Sequence, residues 1–543
     1  MRDLKMAKGV QQGHFHPRGG DEPRHLWEHP AALAALVLLS ALPLLWPDVP
    51  PLLDLPGHMG RYRVQLDLET SAHLRRYYAF EWALIGNLGV DLLVQLLAPA
   101  IGLEPAVKLI IILIPVLTVI GLLWVAFEVH GRIPPTSLFA LPLAYNFPFL
   151  FGFANFALSM ALALIAFALW LRLARLDRLW LRAALFPLVA TAVWVAHAFG
   201  WGTLGVLAFS AELVRQYDRG HHFIASGFRA AIHCLTLTPP VALILLWRSE
   251  ASGRTTDWFN MERKLEWLRM VLRDRWEIFD VASLVMVSAV IAWAMVSRRL
   301  TYSRNLAASA LFLSIVFVLL PRIVFGSAYA DMRLAPYLFA IGLIAIRFPE
   351  GVARRLAAAI GMAGLAFFGV RTAGTTVSMW LYDRVYDREL AALDHVPEGA
   401  RLVSFVGRPC VEPWAMSRLV HLPGLAIVRR QAFSNDQWFM AGAQLLRVTY
   451  AKGLPFVGDP TQIITQRRCR WEVWRPVGLA LATFPREAFD YVWLITPPPF
   501  DPALTKDLRP IWRSGSSVLY RVEREPISAN SETPTGNDTR PTR

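Results

Sequence analysis

The chain is short of cysteine and of charge. Its 543 residues include three cysteines, too few for a disulfide framework and without the paired spacing of a zinc site. Charged residues make up 18% and hydrophobic ones 55%, whereas a soluble domain carries about a quarter charged residues. That balance excludes a large soluble protein. A glycine-rich phosphate-binding loop with its lysine is missing, which disfavours a nucleotide-driven pump. The apolar runs hold almost no Asp, Glu or Lys, and coupled transporters need such groups at mid-membrane. The first apolar run, residues 31–47, has no small-x-small cleavage site and ends in Trp46-Pro47. It therefore reads as an uncleaved span and not as a signal peptide.

What is present is a series of apolar runs of about 17 to 25 residues between residues 31 and 373, the length needed to cross a bilayer. Spans are expected near 31–47, 106–127, 135–150, 152–171, 183–197, 199–214, 229–247, 278–297, 304–320, 335–348 and 355–373, about eleven in all. Residues 183–214 are short for two spans and are read as a hairpin broken near His197-Ala198-Phe199-Gly200. The net charge of +14 is carried by short basic loops, which orient spans and meet anionic headgroups. No nucleic-acid partner is expected. The clusters are Arg172 to Arg182, Arg215 to Arg229, Arg298 to Arg304, and Arg347 to Arg355. Placing them in the cytoplasm with the N-terminal tail, residues 1–30, leaves the C-terminal part outside.

Residues 83–101 are long enough to span, yet Asn87, Asp91 and Gln95 share one helical face, which suits a helix in the interface. Both readings stay open. The second keeps the basic loops on one side and makes the first outer loop long, residues 48–105. A further surface helix is expected over 65–82, with Glu69, His73 and Arg76 on one side and Tyr77, Tyr78 and Trp82 as interfacial aromatics. Another is expected within 248–277. Beyond residue 374 the composition changes. Strand-like runs at 401–406, 491–496 and 517–522, with a helix over 436–451, predict a small extracytoplasmic α/β domain spanning 374–525. Cys410 and Cys469 both fall in it, and whether they pair is open. The tail 526–543 is expected to be disordered. The predicted fold class is an all-α polytopic membrane protein with a small C-terminal α/β domain.

Ionisable residues gather where the first span exits. In DVPPLLDLPGHMGRY, Asp54 sits in a proline-stiffened turn, followed by His58, Arg61 and Tyr62. A carboxylate held rigidly at the membrane surface can act as general base toward a hydroxyl or amine. Arg61 and Arg333 are candidate phosphate clamps, because a guanidinium grips phosphate oxygens at two points. Arg333 follows Asp331 and precedes a span. Asp91 is a candidate second carboxylate, and His58 a donor to an acceptor or phosphate oxygen. No second acid stands next to Asp54 or one residue away, since Leu55 and Pro56 follow it. No metal site and no cofactor are therefore expected.

This layout resembles the GT-C class of polytopic membrane glycosyltransferases, which use polyprenyl-phosphate sugars. The resemblance covers most of the chain through its architecture: a first span, a long outer loop opening with an acid, surface helices, many spans and an outer C-terminal domain. It implies that Asp54 in DLPGHMGRY is the catalytic base. It also implies that Arg333 in ADMRLAPY, with Pro336 and Tyr337, serves the lipid-phosphate end. Here Asp54 is followed by LPGH, whereas the commoner patterns pair two acids or follow the first with Glu. The implied substrate set is His58, Arg61, Tyr62, Asp91, Asp331, Arg333 and Tyr337. The implied partners are a polyprenyl-phosphate-linked sugar, membrane lipids and a glycan, lipid or protein acceptor. The implied location is the bacterial inner (plasma) membrane, as part of cell-envelope assembly. The alternatives are a lipid or polysaccharide exporter and a non-catalytic envelope assembly protein.

Overall fold

The computed structural model describes residues 24–246, 253–349, 352–440 and 444–523. Most of the N-terminal tail and the tail from residue 526, expected to be disordered, lie outside the described residues.

The protein is mostly helical, with a β-sheet near its C-terminal end. Among the described residues, five helices are long and apolar enough to cross a membrane: α4 (Leu103–His130), α6 (Ala154–Arg175), α7 (Leu179–Ala196), α12 (Glu277–Val296) and α15 (Arg354–Leu390). A sixth is possible if the bent pair α9 (Phe223–Cys234) and α10 (Pro239–Leu246) is one span. Its two arms meet at 62°, next to Pro239 and Pro240, whose missing N–H groups interrupt the helical ladder. The eleven full-length spans expected are not found among the described residues. The first apolar run forms only α1 (Pro30–Leu39) and a short 3₁₀ turn, Leu42–Leu44. The stretch 135–150 is a wholly buried 3₁₀ segment, Pro135–Tyr145, leading into α5 (Phe147–Phe151). It fills the interior instead of facing lipid.

The region after the first apolar run also differs from expectation. Asp54 opens α2 (Leu55–Asp67), with Pro56 in the first turn, where its missing N–H costs nothing. There is no surface helix over 65–82: α2 ends at Asp67, and strand β1 (Tyr78–Phe80) follows a 3₁₀ turn. Tyr77 and Tyr78 are buried against Phe433, not interfacial. The apolar stretch 83–101 yields α3 (Gly89–Ile101). At 1.5 Å per residue it is about 20 Å long, short of the ~30 Å hydrocarbon core. The break near His197 is present, but it separates two longer helices, α7 and α8 (Ala198–Asp218). Part of the loop 248–277 lies outside the described residues, and the rest carries α11 (Met261–Arg269). Two more helices complete this part, α13 (Arg304–Leu319) and α14 (Ala330–Ala345).

Helix α15 runs past residue 374 to Leu390. The chain then forms β2 (Leu402–Gly407), α16 (Gly424–Arg430), β3 (Leu446–Val448), β4 (Ile463–Thr465), β5 (Arg475–Pro476), β6 (Tyr491–Ile495), β7 (Leu508–Ser514) and β8 (Ser517–Val522). A six-stranded sheet has the order β5-β4-β2-β6-β8-β7, parallel from β5 to β6 and antiparallel beyond. The helix expected over 436–451 is not found among the described residues; β3 lies there and pairs antiparallel with β1. That pairing joins the segment after α2 to the C-terminal domain. Cys410 and Cys469 are disulfide-bonded.

Candidate functional site

A cavity of about 740 Å³ opens where α2, α6, α8 and α14 meet the C-terminal domain. Asp54, His58, Tyr62 and Arg333 all line it. Its other walls are largely aromatic and aliphatic, among them Phe151, Phe153, Phe199, Trp194, Leu243 and Ile244.

Asp54 is held by its backbone. Leu53 N donates to Leu150 O at 3.3 Å, and Asp54 N to Phe151 O at 3.0 Å. The facing residue is Gly152, at φ +103°; a Cβ there would lie 2.7 Å from Asp54 N. Only glycine accepts both that conformation and that approach. Although Asp54 caps α2, its side chain makes no capping hydrogen bond, and the carboxylate is left for the cavity. Its side chain is 15% exposed. Burial raises its pKa to about 7, opposed by the charge of His421, reinforced by Asp459 and opposed again by Arg333 and Arg408. A carboxylate titrating near neutrality can both accept and release a proton.

Arg333 starts from the first turn of α14. Its guanidinium lies over the Phe153 ring at 4.4 Å and near Phe199 at 5.5 Å. Among the described residues its one hydrogen-bonding contact, to Ser327 Oγ, is 3.5 Å long, and its Nε is buried without a partner. A cation this poorly satisfied inside an aromatic wall is able to receive an anion. His197, also on the cavity wall, caps α8 by accepting from Phe199 N through Nδ1 at 3.1 Å, which places the ring proton on Nε2.

The other expected site residues are committed elsewhere. Arg61 and Asp91 form a buried ion pair, Nη1 to Oδ1 2.9 Å, 3% and 0% exposed. It is a charge contact without hydrogen-bond alignment. Asn155 Nδ2 donates to the other Asp91 oxygen at 2.9 Å. This network ties α2, α3 and α6 together beneath the cavity. Asp331 is buried and paired with Lys264 at 3.2 Å, while Lys264 also donates to Phe317 O and Leu320 O; the pair pins α11 to α14. Tyr337 is buried with its ring edge-on to Phe156, centroids 6.3 Å apart. None of Arg61, Asp91, Asp331 and Tyr337 lines the cavity.

The C-terminal domain supplies what the sequence reading overlooked: Arg408, His421, Trp438, Asp459 and Glu472. His421 Nε2 lies 3.9 Å from Asp54 Oδ1, and its Nδ1 lies 3.8 Å from Asp436 Oδ2. Trp438 stands edge-on to both His58 and His421, at 5.0 and 4.9 Å. One signal in the sequence does mark this meeting. Asp54-Leu-Pro-Gly57 is matched by His421-Leu-Pro-Gly424, and the two segments cross at their glycines. A Cβ on Gly424 would lie 2.5 Å from Pro56 O, and one on Gly57 would lie 3.3 Å from His421 Cβ. Among the described residues no group of three or more His, Cys, Asp or Glu side chains is arranged to hold a metal ion.

No family model matches this chain, and neither does any curated protein or solved structure.

Proposed function

We propose that the protein is a membrane glycosyltransferase that moves a sugar from a polyprenyl-phosphate donor to an extracytoplasmic acceptor. The observation that carries this reading is that Asp54 and Arg333 line one cavity whose remaining walls are mainly apolar. Asp54 takes the proton of the acceptor hydroxyl or amine as its oxygen or nitrogen bonds to the anomeric carbon. The bond from that carbon to the phosphate oxygen breaks, and the lipid phosphate leaves with the bonding electrons. Arg333 stabilises the charge gathering on the leaving phosphate. Attack opposite the leaving group inverts the anomeric centre. The lipid tail binds against apolar helix faces at about 0.8 kcal/mol per buried CH₂.

The reading locates the protein in the inner membrane, N-terminus cytoplasmic and C-terminal domain outside. The Cys410–Cys469 bond suits an oxidising compartment. The test is to express Asp54→Asn and Arg333→Ala in the native cell and profile its envelope glycans. Loss of one specific glycan, with both variants inserted at wild-type levels, is expected. An unchanged profile from both variants overturns the assignment.

A further inference from the structure

Among the groups around the cavity, His421 stands apart because it faces a carboxylate at each ring nitrogen. Asp436 lies behind it, fully buried. One Asp436 oxygen accepts from Ser434 Oγ at 2.7 Å and from Gln437 Nε2 at 3.3 Å. The same Gln437 nitrogen donates to Gly57 O at 3.1 Å, so the first turn of α2 and the Asp436 side chain share an anchor. The second Asp436 oxygen has no hydrogen-bond partner among the described residues and faces His421 Nδ1. On its other side, His421 Nε2 faces Asp54, and Trp438 closes the edge of the ring. An imidazole between two carboxylates, one of them fully buried, is held in its charged form, because a buried carboxylate without a counter-charge is costly.

We propose that His421, oriented by Asp436, is a cationic positioning residue that keeps the Asp54 carboxylate ionised and directed into the cavity. The inference deepens the glycosyltransferase reading but is tested without it. The domain that follows α15 thereby completes the site built on α2. The crossing of the two Leu-Pro-Gly segments sets the approach.

The charges fit this assignment. Burial lowers the affinity of His421 for its proton, but its side-chain contact with Asp436 and then the charges of Asp459 and Asp54 outweigh burial and bring its pKa to about 9. His58, on the same wall, is pushed well below its usual value by burial, then by the charges of Arg61 and His421. It is therefore neutral and does not substitute. The groups acting on Asp54 and His421 from the surrounding elements are His58, Arg333, Arg408, Asp436, Asp459, Tyr329 and Tyr386.

The test is a direct titration of Asp54 in the full chain in lipid nanodiscs, by infrared difference spectroscopy of its protonated carboxyl band. The band is assigned as the one that Asp54→Asn removes. In His421→Asn the midpoint is expected to rise by at least one pH unit, and Asp436→Asn is expected to move it the same way by less. His421→Lys, which keeps a cation there, is expected to restore it at least in part. A midpoint unmoved in both His421→Asn and Asp436→Asn, with normal circular dichroism, overturns the inference. If His421→Asn does not fold, the Asp436→Asn midpoint decides alone. The readout is independent of transfer: a shifted midpoint with no glycan phenotype leaves this inference standing while the glycosyltransferase reading fails.

Discussion

Two clusters of buried charge on α8 and its neighbours make opposite use of a carboxylate. Glu212, about 22 Å along α8 from His197 at 1.5 Å per residue, is surrounded by donors. Arg182 Nη1 reaches it at 3.1 Å, Arg215 Nε at 3.0 Å and Gln216 Nε2 at 2.6 Å. Arg182 is itself stacked over Trp170 at 3.9 Å. Asp54, in the cavity that His197 and the start of α8 also line, has a histidine at 3.9 Å and makes no capping hydrogen bond with its side chain. A saturated carboxylate holds helices together, whereas one left unsaturated in a cavity is available to a ligand. The Arg61–Asp91 pair belongs with Glu212 in this respect. It explains why three ionisable residues close together in the sequence near Asp54 do not share one role.

The contrast can be broken by substitution. The largest effect is expected at Asp54. Removing a general base typically costs about 10²- to 10⁴-fold in rate, so Asp54→Asn is expected to reduce transfer by that order. The same variant is expected to gain stability. The Asp54 carboxyl titrates near 7 in the folded protein against a usual value of 3.8. A raised pKa means the folded state holds the proton more tightly. The stability this provides is complete below about pH 4 and is lost as pH rises through 7. Thermal unfolding above pH 7 should therefore show Asp54→Asn more stable than the wild type, while below pH 4 the difference disappears. The wild-type transfer rate should conversely rise through pH 7 as Asp54 ionises.

Arg333→Ala comes next, at about 10²- to 10³-fold in kcat, the usual cost of removing a group that stabilises developing charge. Arg333→Lys should recover only part, because an ammonium lacks the planar two-point grip. Glu212→Gln sharpens the comparison from the other side. Breaking a buried pair costs about 3–5 kcal/mol, so chemical denaturation should detect a large loss of stability. The rate per folded molecule should stay at the wild-type value. The smallest effect is expected from Gly152→Ala. The positive φ and the approach to Asp54 N predict a loss of about 1–3 kcal/mol. A reduced kcat at unchanged KM should accompany it, because the strain falls on the backbone that aims Asp54.

Much of the membrane part was legible because apolar periodicity reports burial directly. The helices α4, α6, α7 and α12 fall close to their expected positions, and so do β2, β6 and β8. Length was read less well. The run 135–150 is apolar enough to span, yet it is buried inside the protein as a 3₁₀ segment, and composition does not distinguish protein from lipid as the apolar surrounding. The helix expected over 436–451 fails for a related reason: its apolar positions serve β3, which is held by pairing with β1, more than 360 residues earlier in sequence. At the site, Asp54, His58, Tyr62 and Arg333 were readable from their position beside apolar runs. Arg61 and Asp91 were read as one chemical set with them, because sequence shows proximity and not partners. His421 and Asp436 were missed because their relation to Asp54 exists only after two Leu-Pro-Gly turns cross.

The most direct test of the account is transfer by the purified protein in proteoliposomes loaded with a polyprenyl-phosphate sugar carrying a radiolabel in the sugar. The account predicts that the wild type releases free polyprenyl phosphate as labelled product forms. Asp54→Asn should still bind the donor but release polyprenyl phosphate about 10²- to 10⁴-fold more slowly, and Arg333→Ala should lose donor affinity and rate together. Release from Asp54→Asn at the wild-type rate would contradict it.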